Sequence, residues 1–358
     1  MDNRIYNFSA GPSVLPEGVL EKAKIDMLNF DGCGMSVMEM SHRSPVFQEI
    51  FDRAKTSLRD VLTVPDTHEI LFLQGGATLQ FSAIPMNLLE GGVADYAVTG
   101  NFSSKAAKEA EKYGTVHISA SEAPDFTRIP DQSELTFSDD AKYFYYCANN
   151  TVFGTEWQYI PVTNSPLVCD MSSDILSRPV DISKYGIIYA GAQKNMAPAG
   201  LTVVIIDKRL AGKELPFTPQ IMSYKTMIET DSMLNTPPCW CIYMLSLTLD
   251  WLKSEGGVPG MEELKHERAG KLYDFLDSTS FYIAHAEPGS RSEMNVTFRT
   301  SSSELDAKFV AEAANKGLVN LKGHKIAGGM RASLYNAMPV EGVDALIAFM
   351  KEFELRNV

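Results

Sequence analysis

The chain has 358 residues, 45% hydrophobic and 22% charged, which is the composition of a soluble globular protein with material for more than one core. A formal charge of −13 argues against nucleic acid or an anionic membrane as a partner, while leaving room for small anions in a local basic pocket. No apolar run approaches 18 residues and the opening MDNRIYNFSAGPSVLP lacks the apolar stretch of a secretory signal, so the expected location is the cytoplasm.

Taken in chain order, SPVFQEIFDRAKTSLRDVL puts Phe47, Ile50, Phe51, Ala54, Leu58, Val61 and Leu62 on one helical stripe. EILFL (69–73) reads as a short apolar strand, followed by QGGAT and a helix around LQFSAIPMNLL. DYAVTG (95–100), TVHIS (115–119), KYFYYCA (142–148), PLVCDMS (166–172), GIIYAGA (186–192) and LTVVIID (201–207) are further strands. Short β-rich runs separated by helical segments predict an α/β fold with a mostly parallel, helix-covered sheet. An apolar helix over about 240–252 ends at SEGGVPG (254–260), a Gly/Pro hinge that marks the main domain boundary. Beyond it, helices over 262–278, 304–316 and 341–355 and the strands MNVTFRT, LVNLKG and GMRASLYN predict a smaller α+β domain. Cys33, Cys147, Cys169, Cys239 and Cys241 are odd in number and form no CxxC pair, which suits reduced thiols. CWC opens an apolar helix and reads as core packing, so no metal is expected.

Ligands of open α/β sheets bind at the carboxyl ends of the strands, and four loops there carry unusual residues. LQGGAT (73–78) has two glycines between a strand and a helix, where backbone N–H groups can approach a phosphate. A tight turn needs glycine in any case. Asp170 ends an apolar strand; it is either a capping residue or a carboxylate for a protonated ring nitrogen. CANNTVFGTEW (147–157) crowds Asn149, Asn150 and Thr151 at a strand end. In YAGAQKNMAPAG (189–200), Lys194 sits among small and apolar residues. Its side chain either snorkels to water or is kept there as a nucleophile. A lysine that forms a Schiff base, a carboxylate 24 residues earlier and a phosphate-binding turn are together the anchor points of pyridoxal 5′-phosphate.

With NFSAGPSVLP, SHRSP, QGGAT, DMSSDILSRPVDISKYGIIYAGAQKNMAPAGLT, NTPP and LKGHKIAGGMRASLYNAMPVEGV, the chain resembles the phosphoserine aminotransferases over essentially its whole length. These are fold-type I, class V pyridoxal phosphate enzymes. The resemblance implies a large cofactor-binding domain, 16–255, and a small domain, 256–358, joined by the N-terminal segment 1–15. It implies a homodimer with shared active sites, and amino transfer from L-glutamate to 3-phosphohydroxypyruvate giving O-phospho-L-serine and 2-oxoglutarate. A related step on a phosphorylated hydroxythreonine in vitamin B6 synthesis is also within the family's range.

Carried over by motif, Lys194 would be the Schiff-base lysine and Asp170 the partner of the ring nitrogen. Ala77, Thr78 and Gln193 would lie around the cofactor phosphate and Thr151 near the ring hydroxyl. Asn235 and Thr236 would reach the phosphate from the other subunit. Ser9, Arg43 and Arg331 would meet the substrate carboxylate. Three departures stand out: Phe102 where a stacking tryptophan is frequent, and Thr78 and Lys325 where arginines associated with the substrate phosphate are usual. His42, His324 and Lys325 would then carry more of that phosphate, although both histidines also read as ordinary surface or cap residues. The alternative is another class V aminotransferase of the alanine–glyoxylate or serine–pyruvate type, against which KGHKIAGGMRASLYN speaks. A non-catalytic binding module is the rival from another class, against which Lys194 and Asp170 speak.

Overall fold

The computed structural model describes residues 4–357, so the expected N-terminal segment is seen from Arg4 and the C-terminal domain to Asn357; residues 1–3 and 358 lie outside the described residues. The first part of the chain forms β1 (Tyr6–Asn7), α1 (Glu17–Asp26), α2 (Pro45–Val61), β2 (His68–Leu73) and α3 (Gly76–Leu88). There follow β3 (Val93–Val98), α4 (Asn101–Ala110), β4 (Thr115–Ser121), β5 (Phe144–Cys147), and the short β6 (Asn149–Asn150) and β7 (Thr155–Glu156). Then come β8 (Leu167–Asp170), β9 (Ile187–Gly191), β10 (Thr202–Asp207), α5 (Tyr224–Glu229) and α6 (Cys239–Ser254). The remainder is α7 (Gly257–Ser278), β11 (Ile283–Ala284), β12 (Asn295–Arg299), α8 (Ser303–Asn315), β13 (Leu318–Val319), β14 (Met330–Ser333) and α9 (Val340–Asn357).

The main sheet has the order β2-β10-β9-β8-β5-β3-β4. β10 runs antiparallel to both β2 and β9, and the other pairings are parallel. The carboxyl ends of β2, β3, β5, β8 and β9 therefore share one edge, where the turns carrying Gly75, Phe102, Thr151, Asp170 and Lys194 meet. β10 is buried along its whole length, Thr202 to Asp207, as its unbroken apolar run requires of a strand covered on both faces.

One face is covered by α2 and α6. The α2 start is set by Ser44, whose hydroxyl accepts from Phe47 N–H at 3.2 Å, and by Pro45 in the first turn. Phe47, Ile50, Phe51, Ala54 and Leu58 are buried there, each large side chain stabilising the fold by roughly 1.5–3 kcal/mol. α3 and α4 cover the opposite face, with Phe81, Ile84, Ala106 and Ala107 in its apolar layer. A third core gathers α7, α8 and α9 against β12 and β14. Phe8 is buried in it, and β1 pairs with β13, so the N-terminal segment is part of that core.

The expected loop-like hinge at 254–260 is a short break between two helices. α6 ends at Ser254 and α7 begins at Gly257, five residues before the sequence pattern suggested. Pro259 falls in the first turn of α7, where its missing N–H costs nothing. Gly256 takes φ 90°, and a Cβ on Gly260 would come within 2.1 Å of the Glu255 carbonyl oxygen. The break needs glycine at both positions.

Candidate active site

Lys194 lies in the turn between β9 and β10, and residues distant in sequence hold that turn. Gly191 N–H donates to Ser172 Oγ at 3.1 Å. Ser13 N–H donates to the Gln193 carbonyl at 2.9 Å, and the Ser13 hydroxyl donates to the Lys194 carbonyl. Gly11, at φ 138°, lies so close that an added Cβ would be 3.4 Å from Lys194 Cγ and 3.6 Å from Cε. The N-terminal segment thus presses on the aliphatic stem of the lysine and aims its amine. Lys194 Nζ donates to Thr151 Oγ1 at 2.8 Å and stands 5.8 Å from the centroid of the Phe102 ring. The lysine is half-buried and engaged by the site, so it does not simply snorkel to bulk water.

Asp170 ends β8, in register with Cys147 on one neighbouring strand and Tyr189 on the other. It is buried, and Oδ1 accepts from Ser172 N–H at 2.8 Å, while Oδ2 has no donor among the described residues. Burial first, and the charge of Asp170 second, push the Cys147 thiol and the Tyr145 and Tyr189 hydroxyls up, so all three stay protonated around it.

Thr151 is the junction of the site. Its hydroxyl receives Lys194, and its carbonyl accepts from Arg331 Nη1 at 3.0 Å. The preceding asparagines brace it. Asn150 Nδ2 donates to Thr99 Oγ1 at 3.2 Å and Thr155 Oγ1 at 3.0 Å, and Gly100 must lack a side chain because a Cβ there would be 2.4 Å from Asn150 Oδ1. Asn149 Nδ2 donates to Ser173 Oγ at 2.8 Å and Asn295 Oδ1 at 2.7 Å. Asn295 Nδ2 in turn donates to Tyr335 OH at 3.2 Å, and that hydroxyl donates to the Ala10 carbonyl at 2.9 Å. This chain of bonds ties β6, β12, the residues after β14 and the N-terminal segment into one buried polar frame.

Arg331, on β14, forms no ion pair with any carboxylate among the described residues, and burial pulls its guanidinium below the usual range. His324 is likewise pulled down, by partial burial first and then by Arg331, Lys325 and Lys105. Three cations, Arg331, Lys325 and Lys105, thus bear on the same imidazole.

At the end of β2, Gly75 and Gly76 take φ 90° and 68°, and α3 starts with no side chain capping it. Its first amide donors, around Ala77 and Thr78, are open to an anion. Gln74 Nε2 donates to the Thr236 carbonyl at 2.8 Å and Asn235 Nδ2 donates to Gln74 Oε1 at 3.4 Å, so the NTPP turn stands beside the glycine turn of its own chain.

Ser9 lies on the N-terminal segment, where its hydroxyl accepts from Gly11 N–H at 3.5 Å. His42 and Arg43 are not drawn into this group. His42 is buried with Nε2 unpartnered, Arg43 is exposed ahead of α2, and neither bonds to Lys194, Thr151, Asp170 or Arg331. Ser13, Ser172, Tyr335 and Lys105 are site residues the sequence did not single out, since nothing local marks a serine or lysine that acts across such distances in the chain. The amine, the carboxylate with a free oxygen, the aromatic ring and the uncapped helix start together fit the phosphate, ring and aldehyde of pyridoxal 5′-phosphate.

The family model for "Aminotransferase class-V" matches residues 5–346. A phosphoserine aminotransferase of Laribacter hongkongensis is 52% identical over 99% of each chain. Among solved structures, the phosphoserine aminotransferase of Bacillus circulans subsp. alkalophilus superposes with a TM-score of 0.97 at 42% identity, covering 99% of each chain. A pyridoxal phosphate-bound phosphoserine aminotransferase from Trichomonas vaginalis gives 0.95 at 42% identity, over 97% of this chain and 100% of that one.

Proposed function

Since this chain belongs to the class V aminotransferases, we propose that it moves an amino group from L-glutamate to 3-phosphohydroxypyruvate, giving O-phospho-L-serine and 2-oxoglutarate, with pyridoxal 5′-phosphate as cofactor. One observation carries the reading. Thr151 accepts from an amine through its hydroxyl oxygen and, through its carbonyl, from a guanidinium that has no ion pair among the described residues, so a nucleophile and a carboxylate receptor are held by one residue. The alternative class V reading is not favoured, because the full-length relative at 52% identity bears the phosphoserine aminotransferase name.

When bound, the cofactor supplies an electron sink for a negative charge developing at the substrate Cα. Lys194 Nζ would anchor it, Asp170 Oδ2 would hold the proton of the ring nitrogen, Phe102 would offer a face for stacking, and Thr151 would meet the ring hydroxyl. Ala77, Thr78 and Gln193 would receive the phosphate at the start of α3, and Asn235 and Thr236, which stand beside Gln74 in their own chain, would reach it from a second subunit. Arg331 would take the substrate carboxylate, which suits a planar fork of donors, together with Ser9 and with Arg43 of a second subunit. Lys194 Nζ, the amine that would hold the cofactor aldehyde, is placed to take the Cα proton as general base and to return it as general acid. Thr151 Oγ1 keeps that amine on the Phe102 side of the site throughout. Glutamate and phosphohydroxypyruvate use the same site in turn, so ping-pong kinetics follow.

A homodimer fits exposed Ile25 in the last turn of α1 and exposed Leu28, Met35 and Met38 between α1 and Arg43, a surface that would bring His42 and Arg43 to a neighbouring site. Among the described residues no helix is long and apolar enough to cross a membrane, and the proposed location is the cytoplasm. The reading places a large domain at 16–255 and a small one at 256–358 with 1–15.

The test is a visible absorption spectrum of the cofactor-loaded protein. O-phosphoserine should abolish the absorption band and 2-oxoglutarate should restore it. A band that ignores phosphoserine but responds to alanine or serine keeps the cofactor and overturns the substrate.

A further inference from the structure

A phosphorylated substrate, as proposed above, needs more positive charge than a carboxylate does, and α4 supplies a cation not yet given a role. Lys105 lies one helical turn after Phe102. Its Nζ stands 5.7 Å from the centroid of the Phe102 ring, the ring that Lys194 Nζ approaches at 5.8 Å. Its charge reaches His324, as do those of Arg331 and Lys325. Three separate pieces of the chain, α4, β14 and the turn 320–329, therefore bring cations to one place.

Lys105 also borders the glycine turn. With Gly75, Thr78, Ser82 and Lys108 it lines a cleft of about 800 Å³ between α3 and α4. Thr78 carries no charge at the start of α3, and Lys105 lines the same cleft from α4. Of the acids in the cleft, Glu109 is already engaged, accepting from Lys112 at 2.7 Å and from the Ser82 hydroxyl at 2.8 Å. Glu111 follows the last residue of α4, as its C-cap. Lys105, Lys325 and Arg331 form no ion pair among the described residues. In a protein of net charge −13, cations brought together with no ion-pair partner oppose one another, and a bound anion relieves that opposition.

We propose that Lys105 is a specificity residue of this active site, its ammonium binding the phosphate of the substrate and favouring the phosphorylated amino acid over glutamate. Arg331, bonded to the same threonine as Lys194, is placed for the carboxylate next to the reacting carbon. The far end of the substrate then points toward His324, Lys325 and Lys105. A lysine on a flexible stem suits phosphate as a mobile point charge. A phosphate carries about −1.5 to −2 at neutral pH and the glutamate side chain a single charge, so losing one cation weighs more on the phosphorylated substrate.

The experiment follows the half-reaction of the pyridoxal phosphate-loaded enzyme by its absorption, with O-phosphoserine and with glutamate, in wild type, Lys105→Ala and Lys105→Arg. Removing one charged hydrogen bond should lower kcat/KM for phosphoserine by about 10- to 100-fold in Lys105→Ala, chiefly through KM. The value for glutamate should stay within about fivefold, the scale of an exposed charge interaction. Lys105→Arg should recover most of the loss. Equal losses with both amino donors, or full activity on phosphoserine, overturn the assignment. A wild-type enzyme that ignores phosphoserine overturns the substrate reading itself, and this assignment with it. A responsive wild type with an equally responsive Lys105→Ala overturns the assignment alone.

Discussion

Arg331 should be worth more to the reaction than to the fold, and Arg331→Met separates the two. Its guanidinium donates to the Thr151 carbonyl at 3.0 Å and has no carboxylate partner, and burial holds it below its usual range. A base depressed in the folded state is penalised in its charged form at every pH below the folded value, so the full penalty is present across neutral pH. Methionine replaces the aliphatic stem and carries no charge; it removes that penalty and loses one hydrogen bond. The substrate-free protein should therefore melt at an unchanged or higher temperature. Activity should fall steeply. Truncating one side of a buried charge pair costs about 2–5 kcal/mol, which is roughly 30- to 4,000-fold in kcat/KM. Arg331→Lys keeps the charge but not the fork and should fall between. Thermal unfolding without substrate and steady-state kinetics with both amino donors decide it. A variant with unchanged kcat/KM, or one whose inactivity is matched by a melting point lower by several degrees, refutes the reasoning.

Lys194→Ala should abolish turnover while leaving a protein that binds the cofactor non-covalently, as equilibrium dialysis would show; turnover near that of wild type removes Lys194 from its role. Gly75→Ala places a Cβ 2.5 Å from Leu79 Cδ2 on a backbone at φ 90°, a cost of about 1–2 kcal/mol for the left-handed backbone alone, and should weaken cofactor affinity in a fluorescence titration. Unaltered affinity would mean that this turn does not receive the phosphate. Asp174 is fully buried, and burial first, then the charge of Glu156 against the pull of Arg178, pushes its carboxyl up to about 7. Between about pH 4 and 7 the folded state keeps a proton that the unfolded chain releases, so stability falls as pH rises through that window, by at most ~4 kcal/mol. Asp174→Asn should flatten the change in denaturation midpoint between pH 5 and pH 8, and an identical slope in both proteins counts against it.

Local pattern revealed the strands and the apolar helices because their chemistry is local. EILFL and LTVVIID are buried runs, and the α2 stripe is a helical period with large side chains. α4 was invisible for a physical reason: its buried face is Ser103, Ala106, Ala107 and Ala110, small residues that leave no hydrophobic stripe to find. α1 has the same defect, burying only Val19, Ala23 and Asp26. The antiparallel insertion of β10 between β2 and β9 could not be read either, since strand order is set by packing between distant segments.

The candidate site divides along the same line. Lys194 stood out because an ammonium among Ala, Gly and Tyr needs a reason, and Asp170 because it closes an apolar strand. Their positioning groups gave no such contrast. Ser13 is an ordinary serine until it meets the Lys194 carbonyl 181 residues away, and Lys105 reads as a solvent-facing lysine on a helix. Arg331 lies between these cases: its motif marked it, but only the fold shows why it is effective. One threonine fixes the amine through its side chain and the guanidinium through its backbone. A change of side chain at 151 should therefore disturb the lysine and leave the arginine in place, because the carbonyl that holds Arg331 belongs to every residue type.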